Sequence, residues 1–198
     1  MKMPSDKPQL MIGLYGSADP HEEERVYQYA RTLGALIASD GHIIVTGACQ
    51  GIPFEAAKEA RSCGGKSIGF TAATSRETHE SMMGTSPNDY DDLQYIPEDY
   101  PYRHSPTICK KYRNVSSVAA CDIALFISGR WGTLNEFSIA YDTEKIMGVL
   151  TGVGKFSTQV HSLMTLFNKS SNASVVYHDQ PDKLYQEVIQ LAAARSHP

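Results

Sequence analysis

The stretch Ser128-Gly129-Arg130-Trp131-Gly132-Thr133-Leu134-Asn135-Glu136 combines residue types that suit chemistry on an anion. An apolar run, Leu125-Phe126-Ile127, stops at the glycines. A helical pattern then starts, with Leu134, Phe137, Ser138 and Tyr141 on one face. A strand, a tight loop and a helix start follow one another, so unpaired backbone N–H groups and the positive end of a helix dipole meet in the loop. Glu136 is expected in the first helical turn, beside that anion.

Two other apolar runs end in similar turns, Gly13-Leu14-Tyr15-Gly16-Ser17 and Thr46-Gly47-Ala48-Cys49-Gln50-Gly51. Glycine serves where backbone must approach a phosphate or take positive φ. In an open parallel sheet such turns gather at the carboxyl ends of the strands, where ligands bind. Gly16, Ser17, Gly47, Gly51, Gly129, Arg130, Gly132 and Thr133 are therefore the candidate ligand-binding residues, and the ligand is a phosphorylated small molecule. None of the turns has the G-x-G-x-x-G spacing of dinucleotide sites, and no Walker-type lysine follows them. Hydride transfer and ATP hydrolysis both lose ground.

The elements that must hold these turns alternate along the chain. Strands are expected near 10–15, 42–46, 66–70, 121–127, 146–150 and 174–177. Helices are expected near 22–39, 52–63, 107–120, 133–145, 158–167 and 181–194. Val26, Tyr29, Ala30, Leu33, Leu36 and Ile37 stripe the first helix, and Gly41 closes it. This alternation predicts a Rossmann-like, doubly wound α/β fold with a mainly parallel sheet and helices on both faces. Residues 71–106 break the rhythm and read as a long covering loop, with a short strand at Leu93-Gln94-Tyr95-Ile96. Residues 1–9 read as a flexible start, and the 198 residues as a single domain.

Composition narrows the partners. A hydrophobic content of 41% supports a real core, and a net charge of −4 gives no sign of nucleic-acid binding. Cys49, Cys63, Cys109 and Cys121 form no C-x-x-C pair and read as reduced, partly buried thiols. The histidines lack metal-ligand spacing, so no metal and no resident cofactor is expected. The first residues, polar with two prolines, make neither a signal peptide nor a membrane span, which leaves a cytoplasmic protein as the expectation.

These motifs resemble those of the LOG family, often labelled lysine decarboxylases and grouped with the Rossmann-like DNA-processing DprA proteins. The family's hallmark, Pro-Gly-Gly-x-Gly-Thr-x-x-Glu, corresponds to Ser128 through Glu136. Its glycine-rich second turn resembles Gly47 through Ala57, and its upstream arginine matches Arg113 in Lys110-Lys111-Tyr112-Arg113-Asn114. The resemblance covers about residues 10–150. It implies a homodimeric phosphoribohydrolase that cuts the N-glycosidic bond of a nucleoside 5′-monophosphate, giving free base and ribose 5-phosphate. Gly132 and Thr133 would hold phosphate, and Glu136 and Arg113 would be catalytic, with Arg113 orienting Glu136 and helping the base leave. A carboxylate beside the oxocarbenium-like transition state is physically sensible. Decarboxylation is implausible, because nothing marks a lysine for a Schiff base. Helices 107–120 and 133–145 are the candidate dimer contacts.

Two positions depart from the family. Ser128 stands for its proline and Arg130 for its second glycine, a variant found in relatives that resemble a molybdenum-cofactor carrier. Arg130 either adds a contact to phosphate or fills space a nucleotide needs. The alternative to an enzyme is therefore a protein that binds a nucleotide or phosphorylated cofactor without cleaving it. Plain structural roles also compete: Thr133 and Glu136 fit a capping box, Ser17 a helix cap near His21, and Trp131 either a base stack or a dimer contact. Tyr90, Tyr95, Tyr100 and Tyr102 either cover a ligand or pack within the loop.

Overall fold

Residues 8–195 are described by the structure, a computed structural model. Of the expected flexible start, residues 1–7 lie outside the described part; Gln9 is tied down by a bond from its Nε2 to the Gly41 carbonyl.

The chain runs β1 (Met11–Gly16), α1 (Glu24–Ser39), β2 (Ile43–Thr46), α2 (Ile52–Ser62), β3 (Lys66–Phe70), α3 (Arg76–Met83), β4 (Asp92–Gln94), α4 (Pro106–Ala119), β5 (Ile123–Ile127), α5 (Trp131–Asp142), β6 (Ile146–Leu150), α6 (Lys155–Phe167), β7 (Ser174–His178) and α7 (Pro181–Arg195). The strands form one seven-stranded sheet in the order β4-β3-β2-β1-β5-β6-β7, and every pairing is parallel. The fold is thus Rossmann-like α/β, and strand order reverses at β1, which pairs with β2 on one side and β5 on the other.

Alternation along the strands divides the core. Ile12, Leu14, Ile123, Leu125 and Ile127 point to the face covered by α1, α2 and α7. Tyr15, Ala124 and Phe126 point to the face with Phe137 of α5 and Phe156 and Val160 of α6. A strand covered on both faces reads as an unbroken apolar run, which explains β5.

The long loop expected over 71–106 is instead partly regular. It holds α3, a 3-10 turn at Pro87–Asp89 and the edge strand β4. Of α3 only His79 and Met83 are buried, too few to impose a visible period. The helix is fixed instead by the Ser75–Thr78 capping box and by Gly84 in the left-handed region behind it. His79 is fully buried, with Nδ1 2.8 Å from Thr71 Oγ1 and Nε2 3.1 Å from Thr85 Oγ1. Thr85 donates to the Ala48 carbonyl at 3.0 Å, so its oxygen accepts from Nε2–H. This chain of bonds ties the segment to the turn after β2.

Burial holds the His79 pKa below its ordinary value of 6.5. The unfolded chain therefore takes up this proton first, and the stabilisation present above pH 6.5 is lost as pH falls below it. Urea unfolding of His79→Leu beside the unaltered protein is expected to show it: the difference between them shrinks as pH drops from 7 to 5. A constant difference would mean that His79 does not titrate on unfolding.

Among the described cysteines, Cys109 and Cys121 are buried and Cys49 half-buried, but Cys63 is exposed at the end of α2. All four are free thiols. No helix of the described residues is long and apolar enough to cross a membrane.

Candidate functional site

The three glycine turns meet. A cavity of about 190 Å³ opens at the carboxyl ends of β1, β2 and β5, lined by Tyr15, Gly16, Ser17, Ala18, Gly47, Cys49, Pro53, Arg113, Arg130, Gly132, Thr133 and Glu136. Eight of the ten candidate residues are on this wall. The other two, Gly51 and Gly129, shape the turns behind it. Gly129 has φ +106°, and a Cβ there would lie 2.1 Å from Thr133 Oγ1. Gly51 has φ +86°, and a Cβ there would lie 2.4 Å from the Ser17 carbonyl oxygen. Side chains are excluded at both by backbone conformation and by contact.

The turn after β5 is tight. Ser128 and Gly129 both take positive φ, 54° and 106°, and reverse the chain straight into α5. The helix begins at Trp131, with Arg130 as its N-cap residue. Thr133 is therefore the third helical residue and Glu136 the sixth, so the expected capping box does not form and Glu136 sits in the second turn. Thr133, Glu136, Phe137 and Ala140 are buried, Leu134 and Tyr141 pack half-buried against the same core, and Ser138 is exposed. The amide groups of residues 131–133 open the helix without intrahelical partners. A Cβ on Gly132 would meet nothing within 4 Å, so the approach to those amides is open.

Ser17 does not cap a helix either. The N-cap of α1 is Glu23, and Ser17 Oγ accepts instead from the Asp19 amide at 3.1 Å. That turn presents Asp19 to Arg130, whose Nη2 lies 3.1 Å from Asp19 Oδ2. The Arg130 side chain, 67% exposed, thus reaches across the cavity mouth rather than into it. Trp131 is 82% exposed.

Glu136 and Arg113 are the buried charges of the site, 6% and 9% exposed. They do not form an ion pair with each other. Arg113 Nη1 donates to the Gly47 carbonyl at 2.5 Å, while its Nε is buried without a partner. The arginine is thus held by the β2 turn, not by the carboxylate it was expected to orient. A Cβ on Gly47 would lie 1.4 Å from Nη1, so only glycine leaves room for it. Among the described residues, no hydrogen bond reaches the Glu136 carboxylate. Burial pushes its pKa up to about 7, against the opposing pull of Arg113 and then Lys111. A carboxyl poised near neutrality can exchange a proton with a reacting group.

Tyr15, Ala18, Cys49 and Pro53 line the cavity without having been singled out. Each lies in or beside one of the turns, so proximity in sequence was the available signal. Burial raises the Tyr15 pKa, with Cys121, 3.3 Å from its hydroxyl, adding to the effect. Burial also raises the Cys49 thiol.

The family model described as LDcluster4, SLOG cluster4 family, matches residues 9–185. The chain is similar to an uncharacterized protein of Archaeoglobus fulgidus, 30% identical over 131 residues, which make up 66% of this chain and 73% of that protein. It is similar in fold to the molybdenum cofactor binding protein of Rippkaea orientalis, with a TM-score of 0.70 and 19% identity over 93% of this chain and 98% of that one. It is also similar in fold to DNA processing protein A of Helicobacter pylori, whose structure concerns single-stranded DNA binding. There the TM-score is 0.63 and the identity 16%, over 93% and 81% of the two chains.

Proposed function

The chain belongs to the SLOG cluster4 family, and from that premise we propose that it binds a nucleoside 5′-monophosphate and hydrolyses its N-glycosidic bond. The observation that carries this reading is Glu136: a buried carboxyl, free of hydrogen bonds and poised near neutral pH, beside a helix start open to an anion. A structural cap would have explained the residue, but the helix begins too early for one. Phosphate binds the amides of residues 131–133, where the helix dipole favours it. Glu136 takes a proton from the water whose oxygen bonds to the anomeric carbon as the C–N bond breaks. The departing base nitrogen takes a proton from solvent, and Glu136 returns its own to solvent, so the site is restored. Arg113 adds positive charge near the departing base. A small ligand, rather than a nucleic acid, also suits a chain of net charge −4.

The test is incubation with a panel of nucleoside monophosphates, followed by chromatography for free base. Release of base from at least one, with ribose 5-phosphate as the other product, is expected. No release at high protein concentration would overturn the hydrolase.

A second reading, binding without cleavage, has its own support. Arg130 occupies a motif position given to glycine in the hydrolases, and a protein of like fold binds molybdenum cofactor. Saturable calorimetric binding of intact ligand without turnover would select it. Under either reading, Arg130→Ala is expected to weaken a phosphate-bearing ligand about tenfold, the loss of one charge-assisted contact. Its exposed pair with Asp19 contributes little to stability, so the melting temperature should hardly move. An unchanged affinity would show that Arg130 does not leave Asp19 for the ligand.

The homodimer belongs to the same proposal. Ile108, Val115 and Trp131, all exposed on α4 and α5, support a contact there. Sedimentation showing only monomer would remove it.

A further inference from the structure

A second cavity, of about 170 Å³, lies beside the first, where β3 and β4 end against α4. Phe70, Tyr95, Pro97 and Tyr112 supply flat or apolar walls, and Ser116 lies on the α4 side. Arg113 lines both cavities and stands between them.

Much of the polar equipment of this second cavity is already paired. Thr71 Oγ1 is engaged by His79 and by the Ala73 amide, and Ser116 Oγ donates to the Tyr112 carbonyl. Gln94 Nε2 donates to Asp92. Arg113 Nε is different: it is buried and has no partner, although Nη1 of the same group is bonded to Gly47. A buried N–H of a charged group left unpaired is costly, and an acceptor on a ligand would relieve that cost.

Size points the same way. Neither cavity alone reaches the roughly 300 Å³ of ordinary small-molecule sites, and the two together do. The first cavity is centred over β1 and the second over β3 and β4, about two strand spacings or roughly 10 Å away. That span suits one ligand with a phosphoryl group at one end and a ring at the other.

We propose that the second cavity holds the planar nitrogen heterocycle of the ligand whose phosphoryl group occupies the first. The ring lies among Phe70, Tyr95, Tyr112 and Pro97 and offers an acceptor to Arg113 Nε–H. This rests on the phosphate reading above, but not on whether the ligand is cleaved. It assigns a role to the segment 71–106: Tyr95 and Pro97, beside β4, become determinants of which ring is accepted.

The test uses two probes, ribose 5-phosphate and carbocyclic AMP, whose ring methylene replaces the ribose oxygen and blocks cleavage. Their affinities are measured by calorimetry on the full chain. The unaltered protein is expected to bind carbocyclic AMP about 10- to 100-fold tighter, the contribution of one stacked base. Ser116→Trp, which fills the second cavity, should erase that advantage while leaving ribose 5-phosphate affinity unchanged. Retained ribose 5-phosphate binding shows that the variant is folded at the first cavity. If Ser116→Trp binds neither probe, Tyr95→Ala decides, with a smaller loss expected for carbocyclic AMP alone. An advantage that survives in Tyr95→Ala and in a Ser116→Trp protein that still binds ribose 5-phosphate overturns the ring site. Equal binding of the two probes by the unaltered protein also overturns it. Failure of both probes to bind the unaltered protein overturns the phosphate reading itself, and the ring site with it.

Discussion

Glu136→Gln is expected to abolish base release and, at the same time, to stabilise the protein above pH 7. Removing a positioned acid–base group costs about 10²- to 10⁴-fold in rate. The stability effect has a definite sign. The folded carboxyl titrates near 7, above its ordinary 4.5, so folding favours the protonated form. As pH rises past 4.5 the unfolded chain loses this proton and the folded chain keeps it, and stability declines until about pH 7. A displacement of that size corresponds to about 3 kcal/mol. Glutamine keeps the shape and removes the titration. The variant should therefore match the unaltered protein near pH 4.5 and exceed it by up to about 3 kcal/mol at pH 8. Denaturant midpoints across that range would measure it. Parallel pH profiles for the two proteins would mean that Glu136 is not buried as a strained carboxyl.

Gly47→Ala should also fold and lose most of its activity, but by displacing a side chain rather than removing one. The new methyl would fall 1.4 Å from Arg113 Nη1 and 2.6 Å from Cζ. The guanidinium sits at the far end of a flexible side chain, so it swings away and the backbone stays. Its bond to the Gly47 carbonyl is lost, and Glu136 loses the cation that most lowers its pKa. Misplacing such a group by about an ångström costs about 10²-fold in activity. Any residual activity should have its pH profile shifted upward. Gly132→Ala is the matched control for folding, because its methyl would enter open space. Full activity in Gly47→Ala would show that the arginine's position is immaterial.

Much of this geometry could be read in the chain. Apolar runs that stop at glycines marked β1, β2 and β5, and parallel pairing then obliges their ends to meet. Other features depended on tertiary context. Trp131 and Gly132 do not announce a helix, yet α5 begins there because the paired positive-φ turn at Ser128 and Gly129 leads directly into it. The apolar spacing of Leu134, Phe137 and Tyr141 marked residues that do pack against the core, but it missed Thr133 and Glu136 and included the exposed Ser138, because the start of α5 also faces a cavity. Polar Thr133 and Glu136 can therefore lie inside. The helix α3 is held by its capping box, by Gly84 and by His79 bonds to residues outside the helix, none of which leaves a periodic trace. The partner of Arg113 was equally hidden, since Gly47 lies 66 positions away and accepts through its backbone.

The central place of β1 sets an order of events during synthesis. Its neighbour on one side, β2, emerges soon after it, so the first two glycine turns can assemble early. Its neighbour on the other side is β5, where Ile12 pairs with Ile123 after more than half of the chain has intervened. Closing so long a loop is slow, and the edge of β1 stays uncovered until it is done. A nascent chain halted before Ile123 therefore carries an open edge and no competent cradle. A ligand that bridges the three turns would act on the slowest joint in the molecule, as a clasp between its early and late halves.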